Sequence, residues 1–76
     1  MNIDERDFKV VELSIEYGIE WLQNNVHCSE IDRKAKLFCV SGMIYALYGL
    51  KLISEIEKDI YQERLDLAYY EGMECE

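Results

Sequence analysis

The stretch Val11-Glu-Leu-Ser-Ile-Glu-Tyr-Gly-Ile-Glu-Trp21 decides the fold, because it satisfies two periodicities at once. Read two by two, Val11, Leu13, Ile15, Tyr17, Ile19 and Trp21 are apolar, with Glu12, Ser14, Glu16, Gly18 and Glu20 between them. That is the alternation of a half-buried strand. Read at helical spacing, Phe8, Val11, Ile15, Ile19 and Leu22 form one stripe, and Val10, Leu13, Tyr17 and Trp21 form a second. Glu5, Lys9, Glu12, Glu16, Glu20 and Gln23 fill the remaining arc.

Two arguments favour the helix. The alternating run is long for a strand. The rest of the chain offers no second strand, and a lone strand leaves its backbone groups unpaired; only a β-pair across a homodimer escapes that objection. The expectation is a helix over about 4–24, with a strand over 10–21 as the competing assignment. Asp4 and Glu5 open the helix, where acids complement its positive end. Ser14 and Gly18, small residues between the two stripes, would let another helix approach closely.

Asn24-Asn25 signals a turn, and Ser29, with Asp32 three residues on, reads as a helix N-cap. Leu37 to Leu50 then carries no charge. A membrane span needs about 20 apolar residues, and a shorter run is more often a buried helix. The expectation is a central helix over about 29–48, covered on nearly all sides. The third segment, about 51–70, has Ile53, Ile56, Ile60, Leu67 and Tyr70 as its apolar positions, and residues 71–76 read as a frayed tail.

One boundary stays open. The stripe Ile31, Ala35, Phe38, Gly42, Ala46, Gly49, Ile53, Ile56, Ile60 keeps its phase through Gly49. Gly49 is either a hairpin turn or a residue inside one helix about 60 Å long, which would demand a dimer. The chain has no proline to break such a helix. The fold class expected is all-α: one domain over 1–76, built as a small three-helix bundle or a helical hairpin plus an N-terminal helix. A homodimer is expected because the apolar supply exceeds what so small a bundle can cover.

Composition narrows the function. Sixteen acids against eight bases give a net charge of −8. That disfavours direct binding to nucleic acid or anionic membrane and suits a protein partner with a basic surface. Cys28, Cys39 and Cys75 are an odd set without paired spacing, and no apolar leader precedes them, so a cytoplasmic chain with free thiols is expected. No cofactor or metal is expected. Histidine occurs once, at His27 beside Cys28, and neighbours in a turn seldom form a catalytic pair or a zinc site. The row Glu12, Glu16, Glu20 lacks the Glu-x-x-His of a di-iron helix, and the scattered glycines form no phosphate loop. No enzyme activity is expected.

Two functional classes remain. In the first, the chain is a small acidic inhibitor or modulator that docks an acidic helical face, Glu12, Glu16 and Glu20 with Asp59, Glu63 and Asp66, on a basic partner. In general character, though in no motif, it resembles the inhibitors that phages carry against nucleic-acid-binding host defences, such as anti-CRISPR proteins. In the second, it is a structural or adaptor subunit whose acids only solubilise it. Self-association would then use Tyr17, Trp21, Gly42, Tyr45, Ala46, Tyr48 and Gly49. Gly42 reads as a tight helix contact, so Gly42→Leu is expected to harm folding or assembly more than Glu16→Ala.

Overall fold

The computed structural model describes residues 4–74, with side chains through Glu71. It contains three helices: α1 (Glu5–Asn24), α2 (Glu30–Gly49) and α3 (Glu55–Glu74). Each packs against both others, so the chain is an all-α three-helix bundle. Residues 10–21 are helical throughout, and the strand assignment falls. The helix wins because one of its two stripes finds cover: Ile15, Ile19 and Leu22 are buried, with Phe8 and Val11 packed against them. A strand would have divided these residues between two faces.

The helix ends follow local chemistry. The Asp4 carboxylate accepts a hydrogen bond from the Arg6 amide at 3.2 Å, and the Ser29 hydroxyl accepts one from the Asp32 amide at 3.2 Å. At α3 the cap is reciprocal. The Glu57 amide donates to Ser54 Oγ at 3.1 Å, while the Ser54 amide donates to Glu57 Oε1 at 2.9 Å. This capping box starts α3 at Glu55 rather than at 51. The helix then runs on to Glu74, beyond the expected end at 70; residues 75–76 of the expected frayed tail lie outside the described residues.

Gly49 is the last residue of α2, so the chain turns there and does not continue as one long helix. The turning residue is Lys51, with φ of 62°. Its amide donates to the Tyr48 carbonyl at 3.0 Å, and the Leu52 amide reaches back to the Leu47 carbonyl at 2.9 Å. This is a Schellman closure with lysine where glycine is usual. Any L-residue other than glycine sits in that left-handed region at a cost of about 1–2 kcal/mol. The buried side chains of Leu47 and Ile53, with Leu52 packed against them, hold the turn to the core.

The core joins Ile15, Ile19 and Leu22 of α1 to Val40, Ile44 and Leu47 of α2 and to Leu65, Ala68 and Tyr69 of α3. Three sequence expectations are corrected by it. The central segment is not covered on nearly all sides: Ile31, Phe38 and Tyr45 of α2 are 81%, 69% and 52% exposed. Two helices can flank a third on one side only, and its opposite face stays in solvent.

Secondly, α3 presents the other face inward. Of its expected apolar positions, Ile56, Ile60, Leu67 and Tyr70 are all exposed; Ile53 is buried, but in the turn before the helix. The buried set is Leu65, Ala68 and Tyr69, flanked by Tyr61. That face is less apolar, yet it carries the polar partners of its neighbours. Tyr61 donates to Glu12, Arg64 to Glu16, and the Ser41 hydroxyl to Gln62.

Thirdly, Gly42 is no tight contact within the chain: a Cβ built there meets nothing within 4 Å. The close approach is at Gly18 instead, where an added Cβ would collide with the Val40 side chain of α2.

Candidate functional site

A buried arginine organises one end of the bundle. Arg33, in the second turn of α2, is 4% exposed. Its Nη1 donates to the carbonyls of Leu22 at 2.8 Å and Asn25 at 2.9 Å, at the C-terminus of α1. Its Nη2 donates to Tyr69 O at 2.9 Å and Ala68 O at 3.4 Å in α3. The guanidinium also lies 5.6 Å from the Tyr69 ring centroid. No carboxylate pairs with it among the described residues, and its Nε has no partner. The negative end of α1 and the α3 carbonyls replace a counter-ion. Sequence reading passed over Arg33. The signal was there, since Arg33 shares the helical phase of Val40, Ile44 and Leu47.

Two of the three acids in the α1 row are engaged by α3. The Tyr61 hydroxyl donates to Glu12 Oε2 at 3.1 Å. Arg64 grips Glu16 with two parallel bonds, at 2.7 and 2.6 Å. Of this row, only Glu20 is fully exposed. On α3, Asp66 accepts from its neighbour Gln62 at 3.0 Å, and Asp59 lies 3.5 Å from Lys58. Glu63 is exposed and makes no ion pair among the described residues. The six candidate acids therefore form no single face. Glu12 and Glu16 stitch α1 to α3, whereas Asp66 lies toward α2 beside Gln62.

These contacts set the pH response. The Arg64 hydrogen bonds hold the Glu16 carboxyl below its ordinary range, against a smaller opposing effect of burial. Burial pushes the Tyr61 hydroxyl up, and its hydrogen bond to Glu12 adds to that. A lowered carboxyl stabilises the fold above the unfolded value near ~4.3 and loses that contribution as pH falls through the folded value. A raised phenol stabilises below about 10 and loses its contribution as pH climbs through the folded value. In urea titrations Arg64→Met is expected to flatten the acid limb of stability. Since both partners of the ion pair are more than 40% exposed, the effect is under about 1 kcal/mol. An acid limb as steep as that of the unaltered chain would show that Glu16 contributes nothing there.

The apolar candidates divide by helix. Tyr17 is 66% exposed on α1, and Trp21 is half-buried with Lys36 Nζ 5.3 Å from its ring centroid. Gly42, Tyr45, Ala46 and Gly49 share the exposed side of α2. Tyr48 turns toward α3, where Lys58 Nζ lies 4.6 Å from its ring centroid and 5.7 Å from that of Tyr45. In the first turn region, Cys28 Sγ contacts Asn25 Oδ1 at 3.8 Å, and His27 stands exposed. Among the described residues, no three His, Cys, Asp or Glu side chains cluster as a metal site, and no helix is long and apolar enough to cross a membrane.

The outer face of α3 is the best-defined surface. Ile56, Ile60, Glu63, Leu67 and Tyr70 follow one another at alternating spacings of four and three residues. Its four apolar members are 72%, 52%, 52% and 58% exposed in that order. This is the spacing of a coiled-coil seam, with an acid at its centre. The chain matches no known family, no curated protein and no solved structure. Its fold and surfaces place it in a class only: a three-helix bundle with outward apolar seams and an acidic field.

Proposed function

We propose that this protein is a non-catalytic binding module that docks the outer face of α3 against an amphipathic helix bearing basic residues beside its apolar stripe. The observation that carries this reading is the exposed heptad-spaced stripe of Ile56, Ile60, Leu67 and Tyr70, interrupted by Glu63. Apolar side chains at that spacing insert between those of a facing helix, and flanking charges choose the partner. Here Asp59, Glu63 and Asp66 border or enter the stripe, and the chain carries −8 overall, so a basic helix is attracted and an acidic one repelled. The α1 acids suit the role less, because Glu16 at the middle of their row is already paired with Arg64 and Glu12 with the Tyr61 hydroxyl.

The test uses three peptides: a helix with leucines at the seam and lysines beside it, its counterpart with glutamates, and a scrambled lysine peptide of the same composition. Binding is followed by fluorescence anisotropy at low and high salt. The lysine-flanked helix is expected to bind, the other two to fail, and Ile60→Asp to weaken binding at least tenfold. Equal binding by the scrambled peptide, or undiminished binding by Ile60→Asp, overturns the reading.

A further inference from the structure

The outer face of α2 has a different character from that of α3. Ile31, Ala35, Phe38, Gly42, Tyr45 and Gly49 are all exposed and again follow spacings of four and three. From Leu37 to Leu50 the helix carries no charge at all. A Cβ built on Gly42 or on Gly49 meets nothing within 4 Å, so both glycines leave open space on this face.

The order of large and small residues along this face is self-complementary. Reversing the stripe about Val40 sets Ile31 against Gly49, Phe38 against Gly42, and Tyr45 against Ala35. Every bulky side chain then meets a glycine or an alanine. A parallel pairing would instead stack Phe38 on Phe38 and leave Gly42 facing Gly42. We infer that α2 pairs with α2 of a second copy, antiparallel and about a two-fold axis that crosses the exposed face between Phe38 and Gly42, with each large side chain seated over a small residue of the other copy. Such an interface is isologous, the commonest kind in soluble oligomers.

Charge singles out this face for a second copy. Two chains of −8 repel over most of their surfaces, and the uncharged run of α2 is where they approach without that penalty. The antiparallel sense also places Glu30 and Asp32, in the first turn of one α2, near Lys51 at the end of the other. The helix dipoles oppose one another in the same arrangement. Small residues allow the axes to approach to about 8 Å. A specific interface must clear roughly 1,000 Å². A single helix face is small for such an interface, so the dimer is expected to be concentration-dependent. This surface is separate from the α3 face, and either can fail without the other.

The test is sedimentation across protein concentration, combined with cysteine cross-linking. Cys39 is exposed beside the stripe, next to the proposed axis. In an antiparallel pair the two Cys39 lie on the same side of the seam; in a parallel pair they lie on opposite sides. With Cys28→Ser and Cys75→Ser in place, a short bismaleimide is expected to join Cys39 to Cys39 in the dimer. Gly42→Phe fills the space opposite Phe38 and is expected to give a folded monomer, since it enters open space in its own chain. Adding Phe38→Gly exchanges large and small and is expected to restore the dimer. A wild-type chain that sediments as a monomer at high concentration overturns the inference. So does a dimer that Gly42→Phe leaves intact, or one whose Cys39 pair resists the short linker.

Discussion

Arg33→Met is expected to lower the melting temperature by roughly 10–20 °C, the largest effect of any single change to a polar residue here. Methionine fills most of the volume but donates nothing. The Leu22 carbonyl at the end of α1 loses its donor; that of Asn25 keeps the Cys28 amide, and those of Ala68 and Tyr69, inside α3, lose a second donor. A buried polar group left without a partner costs about 1–3 kcal/mol. That loss, together with the charge-assisted tie to α3, amounts to about 3 kcal/mol in a chain this small, where 1 kcal/mol moves the midpoint by about 4–8 °C. Many buried ion pairs can be exchanged for apolar residues without harm, because both partners leave together. Here the partners are main-chain carbonyls, which no substitution removes. Arg33→Lys should fall between the two, since one ammonium cannot span both helices as the guanidinium fork does. A methionine variant that melts with or above wild type would show that the arginine is not the tie between α1 and α3.

The second large effect is expected at Gly18. The side chain of Val40 occupies the space a Cβ at Gly18 would need, and Val40 is fully buried. A β-branched side chain has little freedom to turn aside. Overpacking costs about 1–3 kcal/mol, and occasionally more, while a helix gains about 1 kcal/mol when glycine becomes alanine. Gly18→Ala should therefore lose modestly. Gly18→Val, which brings further methyl groups into the same contact, should lose about 3 kcal/mol. Gly42→Ala makes the contrast: it meets no atom of its own chain, so in the dilute, unpaired protein it should only gain, by up to about 1 kcal/mol. Thermal melts of the three variants check the order. Equal melting temperatures for Gly18→Val and Gly42→Ala would remove the close α1–α2 approach from the account.

How far the sequence foretold this depends on the element. The buried stripe of α1 was legible from Phe8 to Leu22, because its spacing and its cover agree. Ser29 announced the start of α2 through its side chain, and the turn after Gly49 was one of two open readings. Two things were hidden. The inward face of α3 was hidden because the outward face is the more apolar of the two, while Tyr61, Gln62 and Arg64 on the inward side bond to residues on other helices. Periodicity within one helix carries no record of such partners. Arg33 was hidden because arginine is expected at the surface; only its phase with Val40 and Leu47 marked it. Of the candidate surfaces, the apolar residues of α3 were visible as a set but read as core, while the acids of α1 looked free until Arg64 was found beside Glu16.

The geometry of Arg33 also has a history in time. Two of its bonds span eight and eleven residues, and two span thirty-five and thirty-six. Shorter loops close first at lower entropic cost. By loop length alone the guanidinium is expected to meet the end of α1 first, across a five-residue connection, and the far end of α3 later. An α1–α2 hairpin emerging early would hold half of the grip while its charge waits for the other half.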